Sequence, residues 1–238
     1  MARRKTIFGE DRVYHLCSRG VEKRIIFLQE KDYFRFIHDL YEFNDEAPAD
    51  NLYYKTPTLQ SYEARPHKHR NKRKLLVELL AFTLMPNHYH LLVRQIQQNG
   101  IMRFMHKLGG GYATYFNQKY RRTGSLFEGR FKSVMVEREA HFIHLPFYIH
   151  ANPLDLKFPT WRRRELAKPQ EAMKFLENYR WSSFPDYIGK KNFPSVTQRA
   201  FLMDVFGKPK QYRTATIQLL KEMQLDTIRD VALEPIDE

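Results

Sequence analysis

Apolar and polar positions alternate along Arg12-Val13-Tyr14-His15-Leu16-Cys17-Ser18 and stop at Arg19-Gly20, which predicts a first strand. From Gln29 to Phe43 the period lengthens. Tyr33, Phe34, Phe36, Ile37, Leu40 and Tyr41 recur at helical spacing, with Glu30 and Asp32 in the first turn, where the helix dipole favours acid. Leu75 to Phe82 opens a second strand over roughly 75–84 and a third follows over 88–95, with Pro86-Asn87 as the turn between them. Gly100 opens a helix from Ile101 to about Tyr120, striped by Phe104, Leu108, Tyr112 and Tyr115 or Phe116. After a break at Gly124-Ser125, Gly129 to Glu137 alternates again as a fourth strand, and a helix from Glu139 to Ala151 follows. The order predicts an α+β chain: a ferredoxin-like antiparallel sheet of the split βαβ kind, with flanking helices and a C-terminal helical extension.

Two stretches depart from that pattern. Residues 44–74 contain Pro57 and Pro66 and end in the basic run Arg65 to Lys74, which includes Arg70, Lys72 and Arg73. They read as an insertion at the sheet edge, either a phosphate-contacting arm or a solvated loop. Gly109-Gly110-Gly111 interrupts the helical stripe at about 1 kcal/mol per glycine relative to alanine. It allows either the close approach of another backbone or of DNA, or a bend without function. Past Pro153 come a connection containing Trp161-Arg162-Arg163-Arg164, a helical stretch from Gln170 to Glu177, and an aromatic segment at 179–185. Two amphipathic helices are predicted over about 196–206 and 211–231. The organisation expected is one domain over 1–190 and an extension over 191–238.

Composition narrows the class of partner. Lys+Arg number 40 against 27 Asp+Glu, a net charge of +13, which favours a polyanionic partner such as nucleic acid, unless the protein is merely generically basic. The single Cys17 excludes a disulfide framework and a multi-cysteine zinc site. No run of about 18 apolar residues predicts a membrane span, and Met1-Ala2-Arg3-Arg4-Lys5 is not followed by an apolar h-region. The expected compartment is cytoplasmic.

The chemistry concentrates at two places. On an extended segment, His88 and His90 share one face, so two neutral imidazoles can grip one divalent ion. On the helix after the fourth strand, His144, Tyr148 and Asn152 lie four apart on one stripe. Packed over the histidine pair, that helix would bring a phenol nucleophile and an amide oxygen to the ion. The ion would polarise a scissile phosphate, and Tyr148 would attack it. His144 and His150 are the candidate bases nearby, while Tyr112 and Tyr115 are rival nucleophiles. Two imidazoles and an amide do not favour Mg²⁺ strongly; on ligand type alone Mn²⁺ or a later transition metal also fits. Arg130 and Lys132 share a strand face and read as phosphate contacts or as solvated charges.

Met85-Pro86-Asn87-His88-Tyr89-His90-Leu91-Leu92 resembles the signature of single-tyrosine HUH transposases. Gly124 to Ser133, Tyr148-Ile149-His150-Ala151-Asn152-Pro153, Tyr179-Arg180-Trp181-Ser182-Ser183, and Tyr14-His15 with Arg19-Gly20 extend the likeness over about residues 12–189. Together they resemble the REP-associated tyrosine transposases. The resemblance implies a catalytic domain that cuts and rejoins single-stranded DNA at hairpins, using Mg²⁺ or Mn²⁺ and a 5′-phosphotyrosine intermediate. By position it implies His88 and His90 as the HUH pair, Tyr148 as nucleophile and Asn152 as a further metal ligand. Arg19, Arg130, Lys132, Arg70, Lys72 and Arg73 are the expected DNA contacts. Leu145-Pro146-Phe147 departs from the usual basic lead into the tyrosine, and Pro146 is expected to kink the helix. The state expected is a monomer or a homodimer. Two other functions stay open: a non-catalytic binder of structured nucleic acid on the same fold, and a replication-initiating or RNA-processing HUH nuclease.

Overall fold

A computed structural model of the chain describes residues 8–48, 73–163, 166–222 and 228–233. Strands β1 (Val13–Arg19), β2 (Val77–Met85), β3 (His88–Gln95) and β4 (Lys132–Met135) form one antiparallel sheet in the order β2-β3-β1-β4. With α1 (Glu30–Glu42) between β1 and β2, and α2 (Gly100–Lys119) between β3 and β4, this is the α+β arrangement expected from the alternation of periods. Most of the proposed insertion, including Arg70 and Lys72, lies outside the described residues.

Period two divides the sheet cleanly. Tyr14, Leu16, Tyr89, Leu91 and Val93 point to one face, where they pack with Phe34, Phe36, Ile37 and Leu40 of α1 and Phe104, Leu108 and Tyr112 of α2. Burial of such side chains contributes about 1.5–3 kcal/mol each. Asp32 fastens the start of α1 to the end of α2. Its carboxylate accepts from the backbone N–H of Leu28 and Gln29 (both 2.9 Å) and from Lys119 Nζ (2.5 Å), Tyr115 (3.0 Å) and Tyr120 (2.7 Å).

The other face carries His15, Cys17 and Arg19 of β1 opposite Leu92, His90 and His88 of β3. It is covered by α3 (Glu139–Ala151), then α4 (Pro169–Asn178), α5 (Phe184–Tyr187), α6 (Ala200–Phe206) and α7 (Pro209–Glu222). Because α3 lies between the sheet and these later helices, every residue from Leu145 to Ala151 is buried. Pro146 sits inside α3, and the helix runs through it without a break.

Two boundaries differ from the sequence pattern. The fourth strand is shorter than 129–137, because residues 126–128 first hold the end of β1 (Val21 N–H to Leu126 O, 3.0 Å; Glu128 N–H to Arg19 O, 2.8 Å). Gly129 then turns the chain at φ +65°, a left-handed conformation that suits glycine, before β4 begins. At the C-terminus, α7 spans Pro209–Glu222 among the described residues, and residues 228–231 form a turn, not an α-helix, with Val231 N–H bonded to Ile228 O (3.0 Å). The outer edge of β2 is covered by residues 179–187. Trp181 O accepts from Leu84 N–H (2.9 Å), Ser183 N–H donates to Phe82 O (3.0 Å), and the hydroxyls of Tyr179 and Tyr187 donate to Leu84 O (2.6 Å) and Leu80 O (2.5 Å). An edge capped this way cannot pair with another chain.

Candidate active site

The turn Pro86-Asn87 carries the histidine pair and is tied down from three directions. Pro86 O accepts from Ile26 N–H (2.8 Å) and Phe27 N–H (3.1 Å), Asn87 O accepts from Gly20 N–H (2.8 Å), and the Asn87 amide donates to Lys23 O (3.2 Å). His88 and His90 therefore leave β3 on a fixed face, with ring centroids 5.1 Å apart. His90 is fully buried and His88 nearly so. His88 Nδ1 lies 2.7 Å from Asn87 Oδ1, and His90 Nδ1 lies 2.8 Å from Nε2 of His15. In both rings the hydrogen-bonded nitrogen is Nδ1, which makes Nε2 the nitrogen for a metal. Two imidazoles oriented by such outer contacts fit a divalent ion. No group of three or more His, Cys, Asp or Glu side chains among the described residues is arranged to hold one, so further ligands to the pair would be amide, water or phosphate oxygens.

Helix α3 brings Tyr148 to the pair. Its ring stands edge-on to His90 with centroids 6.3 Å apart, so two residues distant in sequence pack together. Thr83, opposite His90 on β2, donates to Ile149 O at 2.7 Å and fixes the height of α3 on the sheet. Asn152 caps α3, its amide nitrogen donating to Tyr148 O (2.8 Å).

A residue that the sequence showed only as one of a basic run completes the arrangement. Arg162 lies in a 3-10 turn over Pro159–Arg163 and is 9% exposed. Its Nη1 donates to the Tyr148 hydroxyl (2.8 Å) and its Nη2 to Asn152 Oδ1 (2.9 Å). Nε and Nη2 also form a fork on the Asp155 carboxylate (2.9 and 2.6 Å), which accepts from Trp161 Nε1 at 2.5 Å. Burial works against the guanidinium charge, but the Asp155 hydrogen bonds and the Tyr148 oxygen more than offset it, and its pKa is raised. The fork holds both groups of the Tyr-x₃-Asn pair, and it leaves Tyr148 with no solvent exposure.

The two histidines considered as bases are placed differently. His150 is held among the residues that cover the β2 edge, with Nδ1 2.8 Å from the Tyr212 hydroxyl and Nε2 2.8 Å from Ser183 Oγ, and burial lowers its pKa to about 3. His144 is half-buried, its pKa also lowered by burial. Tyr112, a rival nucleophile, lies in the opposite core and donates to Ile26 O (2.5 Å), while Tyr115 donates to Asp32.

The cations spread outward from the pair. Arg19 stands opposite His88 on β1, and Lys132 of β4 stands opposite Cys17, the partner of His90, so both share the histidine face. Lys132 and Arg130 are exposed. Arg73 instead points into the fold: its guanidinium lies 3.7 Å over the Tyr41 ring and donates to Tyr41 O and to Asn44 O (3.1 Å).

Residues 59–152 match the family of IS200-like transposases. The transposase match runs from within the proposed insertion to the helix cap, and so takes in His88, His90, Tyr148 and Asn152 but not His15 or Arg162. A solved structure described as a REP-associated tyrosine transposase bound to a REP hairpin is similar at 12% identity. It covers 82% of this chain and 90% of its own, with a TM-score of 0.47. No curated protein matches the chain. No helix among the described residues is long and apolar enough to cross a membrane.

Proposed function

We propose that the chain is a divalent-metal-dependent strand transferase acting on single-stranded and hairpin DNA, with Tyr148 as nucleophile. The observation that carries this is the packing of the Tyr148 ring against His90, which unites the two halves of the motif. The match to IS200-like transposases over the same residues supports cleavage and rejoining of DNA. The hairpin substrate follows from the sequence resemblance to the REP-associated enzymes, and the charge of +13 suits it.

His88 and His90 would hold Mg²⁺ or Mn²⁺, which would supply Lewis-acid polarisation of the scissile phosphate and offset its developing charge. Arg162 Nη1 steadies the phenol oxygen that attacks. The Tyr148 oxygen forms a bond to phosphorus, the bond from phosphorus to the 3′ oxygen breaks, and that oxygen leaves as a 3′-hydroxyl after taking up a proton. Attack requires Tyr148 to move out of the enclosure that buries it, and its phenol proton then passes to solvent. The tyrosyl 5′-phosphodiester keeps the bond energy, so a second 3′-hydroxyl restores a DNA strand by the reverse attack. Asn152 would serve as a third ligand through the second lone pair of its side-chain oxygen, the first being taken by the Arg162 guanidinium. Arg19, Arg130 and Lys132 receive the strand on the histidine face.

Enclosure of the Tyr148 hydroxyl favours a second reading, in which the chain binds hairpins without cutting them. One experiment separates the two. Protein incubated with end-labelled hairpin DNA and Mn²⁺ is expected to form a denaturation-resistant adduct that Tyr148→Phe and chelation both abolish. Hairpin binding with no adduct at any divalent ion selects the second reading.

A further inference from the structure

His15 is fully buried in the middle of β1, outside the transposase-matched segment, and no step of the strand-transfer reading uses it. Its two nitrogens nonetheless link the histidine pair to the far end of the chain. Nε2 lies 2.8 Å from Nδ1 of His90, and Nδ1 lies 2.6 Å from the backbone oxygen of Val231. A carbonyl oxygen only accepts, so the hydrogen at that contact sits on His15 Nδ1. A neutral imidazole carries one N–H, which makes His15 Nε2 an acceptor and His90 Nδ1 the donor to it. The lone pair of His90 then resides on Nε2.

The same outcome is reached at His88 by a local route. Asn87 Oδ1, 2.7 Å from His88 Nδ1, accepts from it and leaves Nε2 as the basic nitrogen. The two imidazoles thus present matching tautomers through different partners, one adjacent in sequence and one supplied by β1 and the C-terminal turn.

We infer that His15 is a positioning residue that sets the tautomer of His90 for metal binding, and that the 228–231 turn sets His15 in turn through the Val231 carbonyl. This rests on the reading that His88 and His90 hold the divalent ion. The turn is anchored well enough for the task. Ile228 and Val231 are buried among α3 and its covering helices, and Asp230 lies 3.2 Å from His141 on the first turn of α3. Without the carbonyl, His15 is free to adopt the other tautomer and donate from Nε2. The His90 hydrogen would then move to Nε2, where the ion needs a lone pair. Outer contacts of this kind are worth roughly 10–100-fold in metal affinity.

The test begins with the full-length, metal-free protein labelled with ¹⁵N histidine, whose tautomers are read by long-range ¹H–¹⁵N correlation. His15 and His90 are both expected as the Nδ1–H form; an Nε2–H form of His90 in the wild type overturns the inference whatever the variants do. Mn²⁺ affinity is then measured by calorimetry for the wild type, His15→Phe and His15→Gln. Phe keeps a ring without an acceptor and is expected to weaken Mn²⁺ binding roughly 10–100-fold. Gln restores an amide acceptor and is expected to recover part of the loss. Folded His15→Phe with wild-type affinity overturns the inference alone. A wild type that takes up no Mn²⁺ instead fails the strand-transfer reading, and this inference falls with it.

Discussion

Arg162 concentrates the most chemistry of any side chain outside the transposase-matched segment, and its removal strands several groups at once. Arg162→Met takes the donors from Tyr148, Asn152 and Asp155 together. Asp155 is 30% exposed and recovers some hydration, so the expected loss in urea unfolding is about 2–3 kcal/mol, below that of a wholly buried pair. Arg162→Lys keeps the charge but not the fork, so it recovers part of the stability while adduct formation stays impaired. His150 gives a separate signature in pH. Burial lowers its pKa to about 3, against about 6.5 when unfolded. For a base with a depressed folded pKa, the unfolded state binds more protons between those values. The contribution is complete above pH 6.5 and is lost as pH falls toward 3. Unfolding free energy is expected to drop by on the order of 2 kcal/mol between pH 7 and pH 5 from this group alone. His150→Gln should flatten the wild-type slope over that interval; equal slopes in parallel urea titrations would contradict the assignment.

Helix α2 separates glycine as a backbone requirement from glycine as mere tolerance. A Cβ at Gly111 would lie 2.6 Å from two atoms of the Phe43 ring, which is packed at the end of α1, whereas Cβ atoms at Gly109 and Gly110 meet nothing within 4 Å. Alanine at 109 or 110 is expected to raise stability by about 0.5–1 kcal/mol through helix propensity, and alanine at 111 to lower it, as read from thermal or urea midpoints. The sequence marked the three glycines as one feature; only the packing partner distinguishes them. The same limit runs through the other elements. The order of strands and helices was legible because each half-buried element repeats at its own period. The length of β4 was not, since Gly129 breaks alternation through a backbone angle, and α3 shows little period because its second half is buried all round. At the site, His88, His90, Tyr148 and Asn152 were legible as spaced residue types. His15, Arg162 and the Val231 carbonyl were not, because their roles come from tertiary placement. A buried arginine forked on a carboxylate and a solvated one look alike in the run 161–164.

Across the whole molecule, a net charge of +13 sets a field that attracts any polyanion, so affinity alone says little about where DNA lies. Its salt dependence says more. Each phosphate neutralised by a lysine or arginine releases counterions, steepening the rise of log Kd against log salt by about 0.7 for single strands and about 0.9 for duplex. Arg130 and Lys132 are exposed, and Lys132 shares the histidine face. If a hairpin crosses that face, the double variant Arg130→Ala/Lys132→Ala loses roughly 1.4–1.8 from the slope between 50 and 200 mM NaCl, measured by fluorescence anisotropy. Arg73 provides the contrast within the same protein. Its guanidinium is committed to Tyr41 and Asn44, so Arg73→Ala should lower stability and leave the salt slope unchanged. A slope that responds to Arg73 and not to the β4 pair would move the DNA path away from the histidine face toward the insertion. The strand path over the histidine face is what the Tyr148 assignment requires, so the slope measurement bears on the nucleophile as well.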